Sequence, residues 1–89
     1  MKETYLEITF RHGRPLAAYL YLPREGDEKS ARTEQAAPGV LIDFSAGGRP
    51  IGLEITAPGK VPAATINRVL ADLGLSPLPD ADLVPLRAA

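Results

Sequence analysis

Two carboxylates, Asp43 and Glu54, occupy positions where paired acids could do chemistry. Each lies in a segment of alternating apolar residues, so each side chain should leave the buried face of one β-hairpin. In the register that places Ile42 opposite Leu53, the two carboxylates are diagonal neighbours on the other face. Paired carboxylates perform acid–base catalysis when their surroundings separate their pKa values, and their oxygens suit a hard divalent cation.

A structural role for the same two acids is the competing interpretation. Asp43 would then bond the turn, and Glu54 would meet an arginine such as Arg49. Exposed pairs of this kind are common and contribute about 0–1 kcal/mol, whereas a cation site normally needs more than two ligands. We favour the structural interpretation and keep Asp43, Glu54 and Arg49 as the candidate ligand or polar site.

The sequence contains no other arrangement typical of a catalytic or cofactor site. His12 is the single histidine, it lies in a charged turn, and no G-x-S-x-G motif accompanies it. Gly47 and Gly48 lack the spacing of phosphate-binding loops, and no helix is predicted to follow them. We therefore predict no catalytic, metal-binding or cofactor-binding residue, and a protein that is not an enzyme.

Three tyrosines fall on the second face of the predicted sheet. Aromatic side chains beside arginines can stack RNA bases, but ten Lys/Arg against eleven Asp/Glu leave no excess of positive charge. Tyrosine combines an apolar ring with a polar hydroxyl, which is typical of protein interfaces. The predicted partner is therefore a protein and not a nucleic acid, and the candidate interface consists of Tyr5, Tyr19, Tyr21 and Leu41.

Length and composition define the class of molecule. A chain of 89 residues allows one domain, predicted over residues 1–89. The absence of Cys excludes disulfides and thiolate metal sites. No apolar run approaches membrane-spanning length, and the first residues lack the apolar segment of a secretory signal. We expect a cytoplasmic protein with no membrane partner.

The fold predicted from these patterns is α+β, an antiparallel β-meander of four to five strands followed by one C-terminal helix and an extended tail. Aromatic residues and period-two alternation dominate before residue 45, and Ala, Leu and Pro dominate the last thirty residues. The predicted strands are 4–11, 16–22, 30–35, 40–45 and 50–56, the predicted helix is 62–73, and the predicted tail is 75–89.

The turns of both hairpins contain glycine. A three-residue loop over 12–14, with Gly13 free to adopt positive φ, brings the aliphatic face that includes Leu16 beside that of the first strand. A two-residue loop would bring the tyrosines there instead. We predict the three-residue loop, because it gathers the aliphatic residues on one face. In the second hairpin, Gly47 and Gly48 suit a two-residue primed turn or a four-residue variant, and both options keep the same faces together.

A helix is indicated by an apolar stripe at positions i, i+3, i+4 and i+7. The stripe is Ile66, Val69, Leu70 and Leu73, and Gly74 is suited to end the helix. The leucines of the tail that follows are expected to lie against the body of the domain, with one short turn near Asp80.

Residues 40–55 (VLIDFSAGGRPIGLEI) contain an acidic strand end, a Gly-Arg turn and a Gly-hydrophobic-Glu-hydrophobic strand. This pattern resembles the hallmark hairpin of the bacterial family catalogued as domain of unknown function 2283, and residues 18–22 are similar to its second strand. The resemblance covers about residues 5–57 and implies a small β-rich domain, with no assigned reaction. The family usually carries acids around its first turn, where this chain has Arg11 and Arg14.

The apolar face predicted for the sheet is larger than one helix can cover. Four or five strands about 4.8 Å apart span about 20 Å, whereas a twelve-residue helix is only about 10 Å across. The tail or a second copy must cover the rest, and isologous dimers are the commonest oligomers. We predict a homodimeric protein–protein interaction module, for example half of an antitoxin-like two-gene pair. The alternative is a protein that binds a small molecule or divalent cation through Asp43 and Glu54.

Overall fold

The structure, a computed structural model, describes residues 4–26 and 28–87. Strands precede helices along the chain, so the α+β class is confirmed. The strands are β1 (Tyr5–Arg11), β2 (Arg14–Tyr21), β3 (Arg32–Ala37), β4 (Val40–Phe44) and β5 (Pro50–Ile55). The helices are α1 (Ala63–Asp72) and α2 (Asp80–Leu83), accompanied by 3-10 turns at Pro58–Lys60 and Val84–Arg87.

The five strands form one antiparallel sheet in the order β1-β2-β5-β4-β3. The prediction of a sequential meander is wrong in one respect, because β5 and not β3 lies beside β2. Ile51, Leu53 and Ile55 of β5 are at most 1% exposed, so this apolar strand occupies the centre of the sheet. The polar strand β3 lies at the edge, where its side chains stay in water.

The first hairpin reaches the predicted pairing of faces by a different route. Its loop has two residues, His12 and Gly13, both at positive φ, and not the three predicted over 12–14. A bulge in β2 at Leu16 restores the parity, so the aliphatic residues of β1 and β2 still share a face. Leu16 itself is 52% exposed, which corrects its predicted place on the buried face.

The second hairpin has the predicted register with a turn of another length. Ile42 pairs with Leu53, Asp43 with Gly52, and Leu41 with Glu54. The connection is a three-residue loop closed by Ser45 and Arg49, in which Gly48 lies at φ 86°. Neither the two-residue nor the four-residue turn is present. A register shift between Asp43 and Phe44 compensates for the odd loop length.

The charged connection between β2 and β3 is attached to the end of the sheet. Arg24 donates hydrogen bonds from its guanidinium to the carbonyl oxygens of Ile51 (2.7 Å) and Glu28 (3.2 Å). Arg49 Nη1 lies 3.6 Å from Glu28 Oε1. These contacts hold the crossing segment against β5, which allows the chain to pass from β2 to the far edge of the sheet.

Helix α1 packs the predicted stripe against the sheet. Ile66, Val69 and Leu70 are at most 3% exposed, and Leu73 is partly buried. The helix ends as the sequence predicts, since the N–H of Gly74 donates to Ala71 (2.9 Å) and that of Leu75 to Leu70 (2.8 Å). These two bonds satisfy carbonyls that a helix end would otherwise leave unpaired.

The predicted short turn near Asp80 is present as α2, and a 3-10 turn follows it where the tail was predicted to be extended. Residues 88–89 of the predicted tail lie outside the described residues. Helix α2 and the following 3-10 turn fold back onto the sheet, and Leu83 and Leu86 are each 1% exposed. Asn67 of α1 bonds both backbone groups of Leu78, which positions the C-terminal segment. The tail leucines therefore lie against the body as predicted, and they cover part of the aliphatic face that motivated a second copy.

Candidate functional site

One side of the sheet carries no helix among the described elements, because α1, α2 and the tail pack on the opposite side. We call this open side the tyrosine face. It is formed by alternate residues of all five strands, and its principal side chains are Tyr5, Glu7, Tyr19, Tyr21, Leu41, Asp43 and Glu54. All four predicted interface residues therefore share one surface.

The three tyrosine rings are in direct contact. Tyr5 and Tyr21, which are cross-strand partners, stack with centroids 4.5 Å apart and planes inclined by 12°. Tyr19 meets Tyr21 edge-on at 4.7 Å, and the Arg24 guanidinium lies 5.7 Å from the Tyr21 centroid. Such ring pairs contribute about 0.5–1.5 kcal/mol beyond their buried area. The stack therefore holds its rings in place on the sheet.

Tyr19 lies flat across Gly52 and reaches Asp43. Its hydroxyl donates to Asp43 Oδ2 at 2.7 Å, and the hydroxyl of Thr33 donates to Oδ1 at 2.6 Å. A Cβ at Gly52 would overlap the Tyr19 ring, so only glycine leaves room for this path. Both oxygens of Asp43 are thus engaged in a bridge from β2 to β3 across β5 and β4.

Burial and the bond to Asp43 make the Tyr19 hydroxyl a weaker acid. Burial, followed by the hydrogen bond and charge of Asp43, raises the pKa of the Tyr19 hydroxyl well above its usual 10.0. Burial and the nearby Glu7 carboxylate also raise the pKa of Tyr21. The hydroxyl of Tyr19 consequently remains a donor to Asp43 at neutral pH.

The raised pKa of Tyr19 predicts that the protein loses stability in alkaline solution. An unfolded Tyr19 releases its proton near pH 10, whereas the folded one retains it, so the folded state binds more protons and stability falls as pH rises above 10. In Tyr19→Phe we expect a shallower fall of melting temperature between about pH 10 and 12. Thermal melts of both proteins across that range measure it. Parallel curves would contradict this assignment.

The predicted polar site is assembled only in part. Asp43 and Glu54 are diagonal neighbours on the tyrosine face, as the register predicted. Arg49 lies in the turn and pairs with Glu28, not with Glu54. Within residues 4–26 and 28–87, no group of three or more His, Asp or Glu side chains is arranged to hold a metal ion. Ligand binding by Asp43 and Glu54 stays a prediction.

Three further residues of the face escaped the sequence analysis. Thr33 completes the bonds to Asp43, Gly52 accommodates the Tyr19 ring, and Glu7 accepts a long hydrogen bond (3.4 Å) from Tyr21. Thr33 and Glu7 act across strands, and their partners depend on the strand order. A glycine inside an otherwise apolar strand is a signal of close approach by another group, and Gly52 carried that signal.

A known protein family matches the part of the chain that forms most of the sheet. Residues 17–57 match the model of a family described as protein of unknown function (DUF2283). The resemblance drawn from the second hairpin is therefore confirmed from Ala17 of β2 to the end of β5, while β1 and the first residues of β2 lie outside the matched residues. The DUF2283 match supports a small β-rich domain and assigns no activity to it. No curated protein and no solved structure matches the chain.

The helices of residues 4–26 and 28–87 are short. The longest of them, α1, has ten residues, and none of these helices has the length and apolar character needed to cross a bilayer.

Proposed function

We propose that the chain is a cytoplasmic bacterial module without enzymatic activity that works by protein–protein contact through the tyrosine face. The observation that carries this proposal is the stack of Tyr5, Tyr19 and Tyr21 on a side of the sheet that no described helix covers. Tyrosine is enriched among the residues that dominate binding energy, and rings already fixed by their neighbours lose little entropy on binding.

The charges of the face favour a partner with basic side chains. Glu7 and Glu54 are exposed on it, and Leu41 adds a half-buried apolar contact. Arginine stacks on tyrosine rings and pairs with carboxylates, so an Arg-bearing protein surface complements both features. We propose that this partner is the product of a neighbouring gene, as in an antitoxin-like pair, and that the chain itself acts as a homodimer.

Binding to the neighbouring gene's product tests the proposal. We expect Tyr21→Ala to raise the dissociation constant more than tenfold, because the central ring of the stack is lost. Val84→Ala is the matched control, since Val84 is 52% exposed and belongs to the tail on the other side of the sheet. Equal affinities for the two variants, or no binding by the unsubstituted chain, would refute the proposed role of the face.

A further inference from the structure

The two edges of the sheet differ in their readiness to pair with another strand. Edge strand β3 places the charged residues Arg32 and Glu34 opposite Phe44 and Ile42 on the inner side, and it is interrupted by a bulge after Gln35. Inward-pointing charges and bulges are the usual devices that prevent edge-to-edge association. Edge strand β3 is therefore protected.

Edge strand β1 has neither device. It is regular over its seven residues, since the bulged residue of that hairpin lies on β2, and no described strand pairs with its outer side. Leu6 and Ile8 are half-buried on the inner side of the sheet, and Phe10 is 50% exposed. A long edge strand with such alternation is a template for a further strand.

We propose that β1 pairs antiparallel with β1 of a second copy, about a two-fold axis at Ile8, to form a continuous ten-stranded sheet. This assignment rests on the proposed homodimer and specifies its interface. The pairing places Leu6 opposite Phe10 of the copy and Ile8 opposite itself, so that apolar residues meet on the inner side. On the tyrosine face, Glu7 lies opposite Thr9 of the copy.

Charge complementarity supports a second copy as the occupant. In this register Arg11 of one copy lies opposite Tyr5 of the other and diagonal to Glu7, and both residues are exposed. The guanidinium can therefore stack on the Tyr5 ring and pair with the Glu7 carboxylate. Because the interface is isologous, each of these contacts occurs twice.

A groove beside β1 offers space for the exposed Phe10 ring. Its volume is about 410 Å³, and it lies between Leu6 of β1 and the tail residues Leu78, Ala81 and Pro85. Phe10 of the copy, placed next to Leu6 on the inner side, would enter this groove. Strand β1 thus carries an exposed Phe10 ring and lies beside a groove in which the Phe10 ring of a second copy can be buried.

Neighbouring registers lack this fit. An axis at Glu7 sets the two Glu7 carboxylates directly opposite each other, which is destabilising. An axis at Thr9 places Leu6 opposite His12 and leaves the groove without the Phe10 ring. The axis at Ile8 is the one that separates the acids, fills the groove and pairs all seven residues of β1.

Light scattering at micromolar concentration measures the association. We expect a mass twice the 9.5 kDa of one chain. Phe10→Ala should raise the dimer dissociation constant about 100-fold, because a buried aromatic contact is lost twice. Leu16→Ala is the matched control, since Leu16 is equally exposed (52%) on the same hairpin but lies on β2; its effect should stay below about threefold.

Charge reversal and single cysteines determine the register. Arg11→Glu should weaken the dimer, and adding Glu7→Arg should restore it, since the pair is exchanged between copies. The chain contains no Cys, so Ile8→Cys gives a single reporter whose Cβ atoms lie about 4.5–5.5 Å apart across the axis, near the span of a disulfide. Oxidation should link Ile8→Cys readily, and Glu7→Cys and Thr9→Cys poorly.

The outcomes separate this inference from the broader proposal. A monomeric protein would refute both the β1 pairing and the homodimer, while leaving the tyrosine-face binding assay unaffected. A dimer that is indifferent to Phe10→Ala, or that cross-links best through Glu7→Cys or Thr9→Cys, would overturn the β1 interface centred on Ile8 and leave the homodimer standing.

Discussion

Replacing Leu83 with alanine is expected to lower the free energy of unfolding by about 2–5 kcal/mol. Leu83 lies within seven residues of the chain end, yet its side chain is 1% exposed and belongs to the same apolar cluster as Leu20, Leu53 and Ile55. Truncating it removes buried methyl groups and leaves a cavity that the surrounding residues fill only in part. Urea denaturation, with the midpoint and slope compared between proteins, measures the change.

The adjacent residue supplies the control for this substitution. Val84 is 52% exposed, so Val84→Ala should alter the free energy of unfolding by no more than about 0.5 kcal/mol. Small domains are stable by only about 5–15 kcal/mol, so the predicted loss at Leu83 is a large fraction of the total. Equal and small effects at both positions would show that the tail is not part of the core.

The same variant bears on the association of the chain. The sequence suggested a second copy because one helix was too small for the aliphatic face, but Leu83 and Leu86 now cover part of that face from within the chain. Opening the tail should expose apolar surface and produce larger assemblies than the dimer that we propose through β1. The surface through which we propose the homodimer is therefore the edge strand β1 and not the aliphatic face of the sheet.

Alternation predicted the faces of the strands but not their neighbours. Leu41, Asp43 and Glu54 lie on the face that period-two patterning assigned to them, because the pleat fixes side-chain direction within each strand. Patterning contains no information about which strand lies beside β2, so the position of β5 there was not predictable from it. The position of β5 depends instead on how the complete sheet buries its apolar strands.

The hairpin of β1 and β2 shows why the number of loop residues does not by itself determine which faces pair. The parity argument correctly joined the aliphatic faces of β1 and β2, yet the loop is two residues long and Leu16 forms a bulge. A bulge changes the parity by one, so a loop of either length can serve the same pairing. Burial fixed the register, and the turn geometry adjusted to it through the left-handed conformations of His12 and Gly13.

The candidate site was predicted as a set of residues and not as a set of contacts. The sequence placed three tyrosines on one face, but the link from Tyr19 to Asp43 requires β5 to separate their strands and to present a residue without a side chain. Gly52 meets that requirement, and its substitution is the sharpest test of the arrangement.

Gly52→Ala is expected to lower the free energy of unfolding by about 1–3 kcal/mol. The new methyl group would overlap the hydroxyl and ring of Tyr19, so the ring must leave its position. The ring then loses its bond to Asp43 and its edge contact with Tyr21. Gly59→Ala is the control, because Gly59 has no atom within 4 Å of an added Cβ and no positive φ, so its effect should be small.

A double-mutant cycle isolates the cause of this loss. In a Tyr19→Ala background, Gly52→Ala should no longer destabilise the protein and should instead stabilise it by about 0.5–1 kcal/mol, because glycine inside a strand is entropically costly. The change of sign gives a coupling energy between the two positions that chemical denaturation of the four proteins measures. If Gly52→Ala cost the same with and without Tyr19, the ring would not lie across Gly52. The tyrosine face would then lack the bridge that fixes its central strands.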